Sequence, residues 1–384
     1  MIGALRLAAT IAVMAPSAIA LAADPGVTDT EVVIGAVAPF TGPAGPTAYA
    51  GILGLRIATG EINDAGGING RKIRFVAEDD NYVPARTVQA MQKLIDVDKI
   101  FALTAGSGGA HYLAILPMLE EQGIPSINPF VAGMSLYDPV RRTVFGIGMS
   151  YRDGAFELMK DLATRYPGTK WASVVQDDES GIEPETGYKR AVAELKLTSV
   201  LELRHKRGQT DFSSEVLRIR EAGATGIFLG TVAPTSSNVI KEARKLGLKM
   251  VFATSWLARI PQVFDLFGEA GDGVVVYDFV PGFEGPTAAP IKELAKKYIE
   301  ASDLEKMNTY TMLGYVTMRL MSDAMRRCGK ALTRECTIAQ LEATRDYSTG
   351  FMSPITFSAN SHLTKLSGEP LIIDFANKRF VPLK

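Results

Sequence analysis

Seven residues, AGSGGAH at 105–111, hold the densest set of groups in this chain that could seat an anion. Glycines at 106, 108 and 109 let backbone N–H groups approach a ligand, Ser107 adds a hydroxyl, and a helical pattern starts at once. A carboxylate suits such a seat. The same glycines would equally serve tight packing of a strand against a helix. The run is not a Walker loop, because no Gly-Lys-Ser/Thr follows. His111 has two readings: a polar residue opening a helix, or a direct ligand contact. The other histidines, His205 and His362, share no metal-ligand spacing with it. Asp79-Asp80 and Asp177-Asp178-Glu179 have the groups for acid–base or metal chemistry, or simply accept N–H bonds from strand-end loops. No Gly-x-Ser-x-Gly elbow occurs, and no serine stands in a recognisable arrangement with a histidine and a carboxylate. Catalysis is short of parts, and no metal or cofactor is expected.

These residues need elements to position them. In EINDAGGINGRKI (61–73) a helical run stops on three glycines and turns directly into an alternating, strand-like run. The joint recurs. EVVIGAVAPF, KIRFVAEDD, IFALTAG and IPSINPF read as strands, separated by the helical stretches AYAGILGLRIATGEIN, ARTVQAMQKLIDVDK and GAHYLAILPMLEEQG. A second series then restarts with WASVVQDD, PETGYKRAVAELK, TSVLELRHK, DFSSEVLRIREAG, GIFLGTV, SSNVIKEARKLGL, MVFATS and GVVVYDFV. Alternation with short loops predicts parallel sheets covered by helices on both faces. The fold class is therefore α/β, with two doubly wound, Rossmann-like lobes. Lobe 1 is expected from residues 24–147 plus 279–352, and lobe 2 from 148–278 plus 353–384. Crossovers are expected at 145–150, 277–281 and 350–354. Open α/β sheets bind ligands beyond the carboxyl ends of their strands. Those ends include AGSGGAH, NPFVAG (128–133), QDDESG (176–181), GTVAPT (230–235, with Val232) and TSWLAR (254–259).

A chain of 384 residues is long for one core, and 47% hydrophobic with 22% charged residues describes a globular protein. With 41 basic against 42 acidic residues, no basic surplus points to nucleic acid or an anionic membrane. Residues 1–22 are expected to be a signal peptide: one cation, Arg6, precedes an apolar run and the small-x-small pattern Ala20-Leu21-Ala22. No later segment reaches the roughly 18 apolar residues of a membrane span. A mature protein free in solution outside the cytoplasm is the expectation. In that oxidising compartment Cys328 and Cys336, in CGKALTREC, are expected to form a local bridge, with two free thiols as the other reading. No nearby histidine completes a metal site.

VVIGAVAPFTGPAG, INDAGGINGRKIRFVAEDD, LEEQGIPSINP, GQTDFSSEVLRIREAGATGIFLGT and ARKLGLKMVFATS resemble, in that order, the periplasmic solute-binding proteins of the leucine/isoleucine/valine-binding family. The resemblance covers nearly the whole mature chain. It implies that the compartment is the periplasm, with two lobes joined by three crossovers, a ligand held between them on closure, and delivery by a monomer to an ABC permease in the inner membrane. It places the family's serine seat at Ser107 or Gly109, in the same run that holds Gly108 and His111. An Ala-Ala/Ser-Thr run becomes Phe130-Val131-Ala132, without its hydroxyl. An aromatic position of the second lobe falls near Ser180. The acidic residue that meets an ammonium falls near Trp256, and the aromatic wall of the late helix matches Tyr310. In a branch that binds aromatic acids a tyrosine opens the second lobe, as Tyr151 does here.

These departures lead to an expected ligand: a small carboxylate with a planar or bulky apolar body. Phe130, Tyr151, Trp256 and Tyr310 would enclose a ring. An ammonium would find no carboxylate unless Asp178 or Glu179 turned into the cleft. The alternative is an ordinary branched-chain or other amino acid. A sensor ectodomain and a secreted α/β enzyme are the remaining readings.

Overall fold

The computed structural model describes residues 24–383 except 42, 43, 107, 129, 131, 132, 255 and 261, and leaves the side chains of 179, 180 and 257 aside. The expected signal peptide lies outside the described residues. The first half of the chain runs β1 (Glu31–Ala38), α1 (Gly45–Asp64), β2 (Lys72–Asp79), α2 (Pro84–Asp96), β3 (Ala102–Leu103), α3 (Gly109–Gln122), β4 (Ser126–Asn128) and β5 (Val144–Gly146). These strands form a parallel sheet in the order β2-β1-β3-β4-β5. Both faces of β1 are buried, with the period of two that a strand imposes. Val32, Ile34, Ala36 and Ala38 join the core under α1, while Val33 and Val37 join that under α2 and α3.

The pattern then repeats as α4 (Tyr151–Arg165), β6 (Lys170–Gln176), α5 (Glu179–Leu195), β7 (Thr198–His205), α6 (Ser213–Glu221), β8 (Gly226–Gly230), α7 (Ala233–Lys245), β9 (Val251–Thr254), α8 (Val263–Phe267) and β10 (Val275–Asp278). Three helices follow, α9 (Ala289–Tyr298), α10 (Thr309–Arg327) and α11 (Arg334–Glu342), and then β11 (Glu369–Asp374) and β12 (Arg379–Pro382). The second sheet has the order β12-β11-β10-β9-β8-β6-β7, its last two strands antiparallel to their neighbours. The expected doubly wound, two-sheet α/β architecture is what the chain adopts.

Helices α9, α10 and α11 belong spatially to the first sheet. α10 lies along α1 in the same direction, and two glycines let the backbones touch. A Cβ on Gly54 would stand 2.0 Å from the Thr311 carbonyl oxygen, and one on Gly314 2.0 Å from that of Gly51. The pair is pinned by Asn308, whose Nδ2 donates to the Pro46 carbonyl, and by Tyr315, whose hydroxyl donates to Glu61 at 2.6 Å.

The last crossover lies later than the expected 350–354. Residues 355–364 stay with the first sheet. Gly146 N–H donates to the His362 carbonyl at 2.8 Å, Leu363 bridges Gly146 in parallel, and Phe357 packs on Phe145. The chain leaves for β11 only after Thr364, whose side chain holds Gly148. Helix α5 also begins at Glu179, five residues ahead of the expected start at Pro184, which the helix carries inside it.

Cys328, at the end of α10, and Cys336, in the first turn of α11, are bonded. The link closes a separation of only 8 residues. Reduction is expected to cost about 2 kcal/mol by the loop-entropy argument. Urea denaturation with and without reductant checks this, and coincident midpoints would refute it.

Candidate functional site

The carboxyl ends of the two sheets face one another. On the first-sheet side, Gly108 precedes α3 with φ +33°. A Cβ there would lie 2.7 Å from His111 Nδ1, so glycine is demanded by both conformation and space. His111 is buried in the first turn of α3, and its ring stacks on Tyr82 with centroids 4.4 Å apart. Neither ring nitrogen has a hydrogen-bond partner among the described residues. Ser107, Val131 and Ala132 lie outside the described residues. Phe130 is half-buried over Gly51, where a Cβ would meet its ring, and is tilted against Tyr310 at 6.2 Å.

On the second-sheet side, Tyr151 opens α4 just behind the Ser150 cap, whose hydroxyl accepts from the Asp153 N–H at 2.9 Å. Its ring stacks on Trp256 at 5.0 Å and 24°. Trp256 in turn meets Phe279 edge-on at 5.6 Å, and its buried indole N–H has no acceptor among the described residues. Tyr310, the second residue of α10, is buried against the same void as Trp256 and Phe279. Burial pushes its phenol well above the ordinary range, so the hydroxyl remains protonated. The structure thus gathers Phe130, Tyr151, Trp256 and Tyr310 into one aromatic nest, with Phe279 as a fifth ring.

The remaining expected positions lie away from the nest. Asp178 accepts from Arg207 at 2.7 Å and from Gln176 Nε2. Both Asp178 and Arg207 act electrostatically on the Tyr82 hydroxyl, so this pair and the His111–Tyr82 stack share the cleft rim. Ser180 is in the first turn of α5, and its side chain is not described. Val232 precedes α7 and is 39% exposed. The other acids brace loops. Asp79 accepts from the Phe40 and Asn81 N–H groups, Asp80 from Tyr82 N–H and Thr87, and Asp177 pairs with Arg204. His205 bridges Lys206 and Thr231, and His362 stacks on Phe145. Among the described residues, no group of three or more histidine, cysteine or acidic side chains could hold a metal.

Sequence reasoning missed three participants. Phe279 lies on a crossover, and Arg259 and Asp278 form an ion pair at 2.9 Å with both side chains 4% exposed. Asp278 also accepts from the N–H groups of Phe279 and Val280. Burial raises its carboxyl pKa against the pull of Arg259 and those two donors. Arg259 closes the stretch TSWLAR, which was legible only as a strand-end loop. The void among Trp256, Arg259, Asp278, Phe279 and Tyr310 measures only about 10 Å³. That is barely room for one water.

Two doubly wound sheets with facing strand ends, joined by three passages of chain, define the type I periplasmic-binding-protein fold. The chain belongs to the periplasmic binding protein family, whose model matches residues 31–366. It is 29% identical over 225 residues to an amino acid binding protein of Pseudomonas aeruginosa, a match that covers 58% of this chain and 59% of that protein. It is 25% identical over 320 residues to Leu/Ile/Val-binding protein homolog 1 of Brucella melitensis, covering 81% and 82%. Two solved structures superpose with a TM-score of 0.80, each covering 93% of this chain and 96% of its own. One is a branched chain amino acid ABC transporter protein from Thermus thermophilus with bound valine, 22% identical. The other is an R. palustris solute binding protein in complex with 4-hydroxybenzoate, 19% identical. At these identities the two structures establish a shared fold.

Proposed function

We propose that this protein is the periplasmic solute-binding component of an ABC importer, and that its cleft captures a small carboxylic acid with a planar or bulky apolar body. One observation carries the reading: the nest of Tyr151, Trp256, Phe279 and Tyr310 borders a carboxylate, Asp278, that is already held by Arg259 and two backbone N–H groups. Ring contacts of this kind contribute about 0.5–1.5 kcal/mol each beyond area burial. An ammonium buried at the same wall would compete with Arg259 for Asp278, and an unpaired buried cation costs several kcal/mol. The start of α3, with His111 beside it, offers N–H donors to a carboxylate. Delivery is by a monomer to an inner-membrane permease, and the lobes close on the ligand.

The names of the Pseudomonas and Brucella relatives favour a second reading, an amino-acid binder. The fold does not choose, since the neighbours holding valine and 4-hydroxybenzoate superpose equally well. Calorimetry with leucine, valine, benzoate and a hydroxycinnamate separates the two. Saturable binding of the aromatic acids, with a smaller scattering radius on saturation, is expected. Tight leucine binding with no response to either aromatic acid would end the proposal and restore the amino-acid reading.

A further inference from the structure

Beside the crossover that leaves β10, a chamber of about 710 Å³ opens between the two sheets' ends. Its first-sheet wall is the start of α1 and of α10, with Phe40 and Tyr49, and its second-sheet wall carries Phe264 and Phe380. The crossover supplies Phe283. Arg259 alone among the charged residues borders both this chamber and the small void of the nest.

The charges around the chamber fall into two kinds. Glu284, Lys306, Lys378 and Arg379 stand at its rim with side chains more than half exposed, as does the exposed Glu305, where solvent screens them. Arg259 is set in the wall, its side chain 4% exposed and its guanidinium lying 4.4 Å over the Phe380 ring. A guanidinium carries five N–H donors in a fixed fork. One is used on Asp278, through Nη1 at 2.9 Å, and no other side-chain hydrogen bond from Arg259 is made among the described residues. Its Nη2 lies 3.5 Å from where a Cβ on Gly282 would stand, on the chamber's own wall. Asp278 does not need the rest of the fork, because its other oxygen accepts two backbone N–H bonds.

We infer that this chamber is a second ligand compartment, which takes a carboxylate with an elongated apolar body: the acid on the free edge of the Arg259 fork, the body along Phe40, Tyr49, Phe264 and Phe283. A buried guanidinium with spare donors favours a bidentate carboxylate over a neutral polar head. The inference goes beyond the reading of the nest and does not depend on it. It also gives the protein room for acids that the closely packed rings would not admit.

Octanoate and 4-phenylbutanoate, with octanamide as the uncharged control, test it by calorimetry on the unmodified protein. Both acids are expected to saturate one site, with the amide at least tenfold weaker. Gln262→Trp adds bulk to the chamber wall while leaving Arg259, Asp278 and the rings of the nest unsubstituted. It is expected to weaken octanoate at least tenfold while its denaturation midpoint stays near that of the parent. Absence of saturable binding by either acid would overturn the second compartment, as would an amide that binds as well as its acid. The acid–amide comparison stands whether or not the variant folds. If benzoate binds while octanoate does not, the nest reading survives and this one falls. If octanoate binds while neither benzoate nor the hydroxycinnamate does, the reverse holds.

Discussion

Arg334→Leu is expected to lower the unfolding free energy by about 2–5 kcal/mol, because it leaves two buried carbonyls and a third, part-buried one without their donor. Arg334 is 8% exposed in the first turn of α11. Its Nε donates to the Phe101 carbonyl at 3.2 Å, Nη1 to Gln122 at 2.8 Å and Nη2 to Ile100 at 2.7 Å. One side chain thereby ties the last long helical segment to the approach of β3 and the end of α3. Its backbone N–H also donates to Asp24, at the other end of the described chain. Leucine fills much of the volume but supplies no donor. Arg334→Lys would keep the charge as a single point and is expected to fall between the two, since an ammonium cannot span three acceptors fixed in a fork. Chemical denaturation at constant slope decides, and a loss below about 1 kcal/mol for the leucine variant would mean that the carbonyls find other partners.

Trp256→Ala is expected to weaken binding of an aromatic acid by about 30- to 100-fold, equivalent to about 2–3 kcal/mol from lost ring contact and apolar burial. Trp256 is the hinge point of the nest, stacked on Tyr151 on one side and edge-on to Phe279 on the other. Trp256→Phe retains a ring but removes the unpartnered indole N–H. If that N–H meets the ligand, the phenylalanine variant loses roughly tenfold, the worth of one polar contact. If the ring alone matters, it loses little. Titration of folded variants measures both, and alanine binding within threefold of the parent would remove Trp256 from the site.

The fold was legible in the sequence wherever a strand or helix is long enough to show its period. β1 is an apolar, valine-rich run of eight residues, β2 opens with polar–apolar alternation, and α3 starts where glycines precede a helical pattern. Legibility failed where pairing is short or irregular. β5 is three residues long, and 355–364 attach to its edge through a single isolated bridge, Gly146 to Leu363, that leaves no periodicity. Pro184 reads as the opening of a helix, yet α5 starts at Glu179, where the N–H groups of Gly181 and Ile182 donate to the Asp178 carbonyl. For the site, the rings could be named from family resemblance, but their mutual contacts depend on loops meeting across the cleft. Arg259 and Asp278 lie 19 residues apart on different strand ends. Nothing local in TSWLAR or in YDFV marks them as partners. Asp178 shows the converse: its charge is plain in the sequence, and its pairing with Arg207, 29 residues on, is not.

The glycine contact between α1 and α10 has a consequence for the order in which the chain can be assembled. The Tyr315–Glu61 hydrogen bond joins residues 254 apart. A chain that emerges amino terminus first has made all five strands of its first sheet, and the whole of the second α/β series, before α10 exists to cover α1. The face containing Gly51 and Gly54 therefore waits, uncovered, through the synthesis of an intervening unit whose β6 to β10 are contiguous and need no such delay. The part of the molecule made first is thus covered only after β6 to β10 of the second sheet have been made.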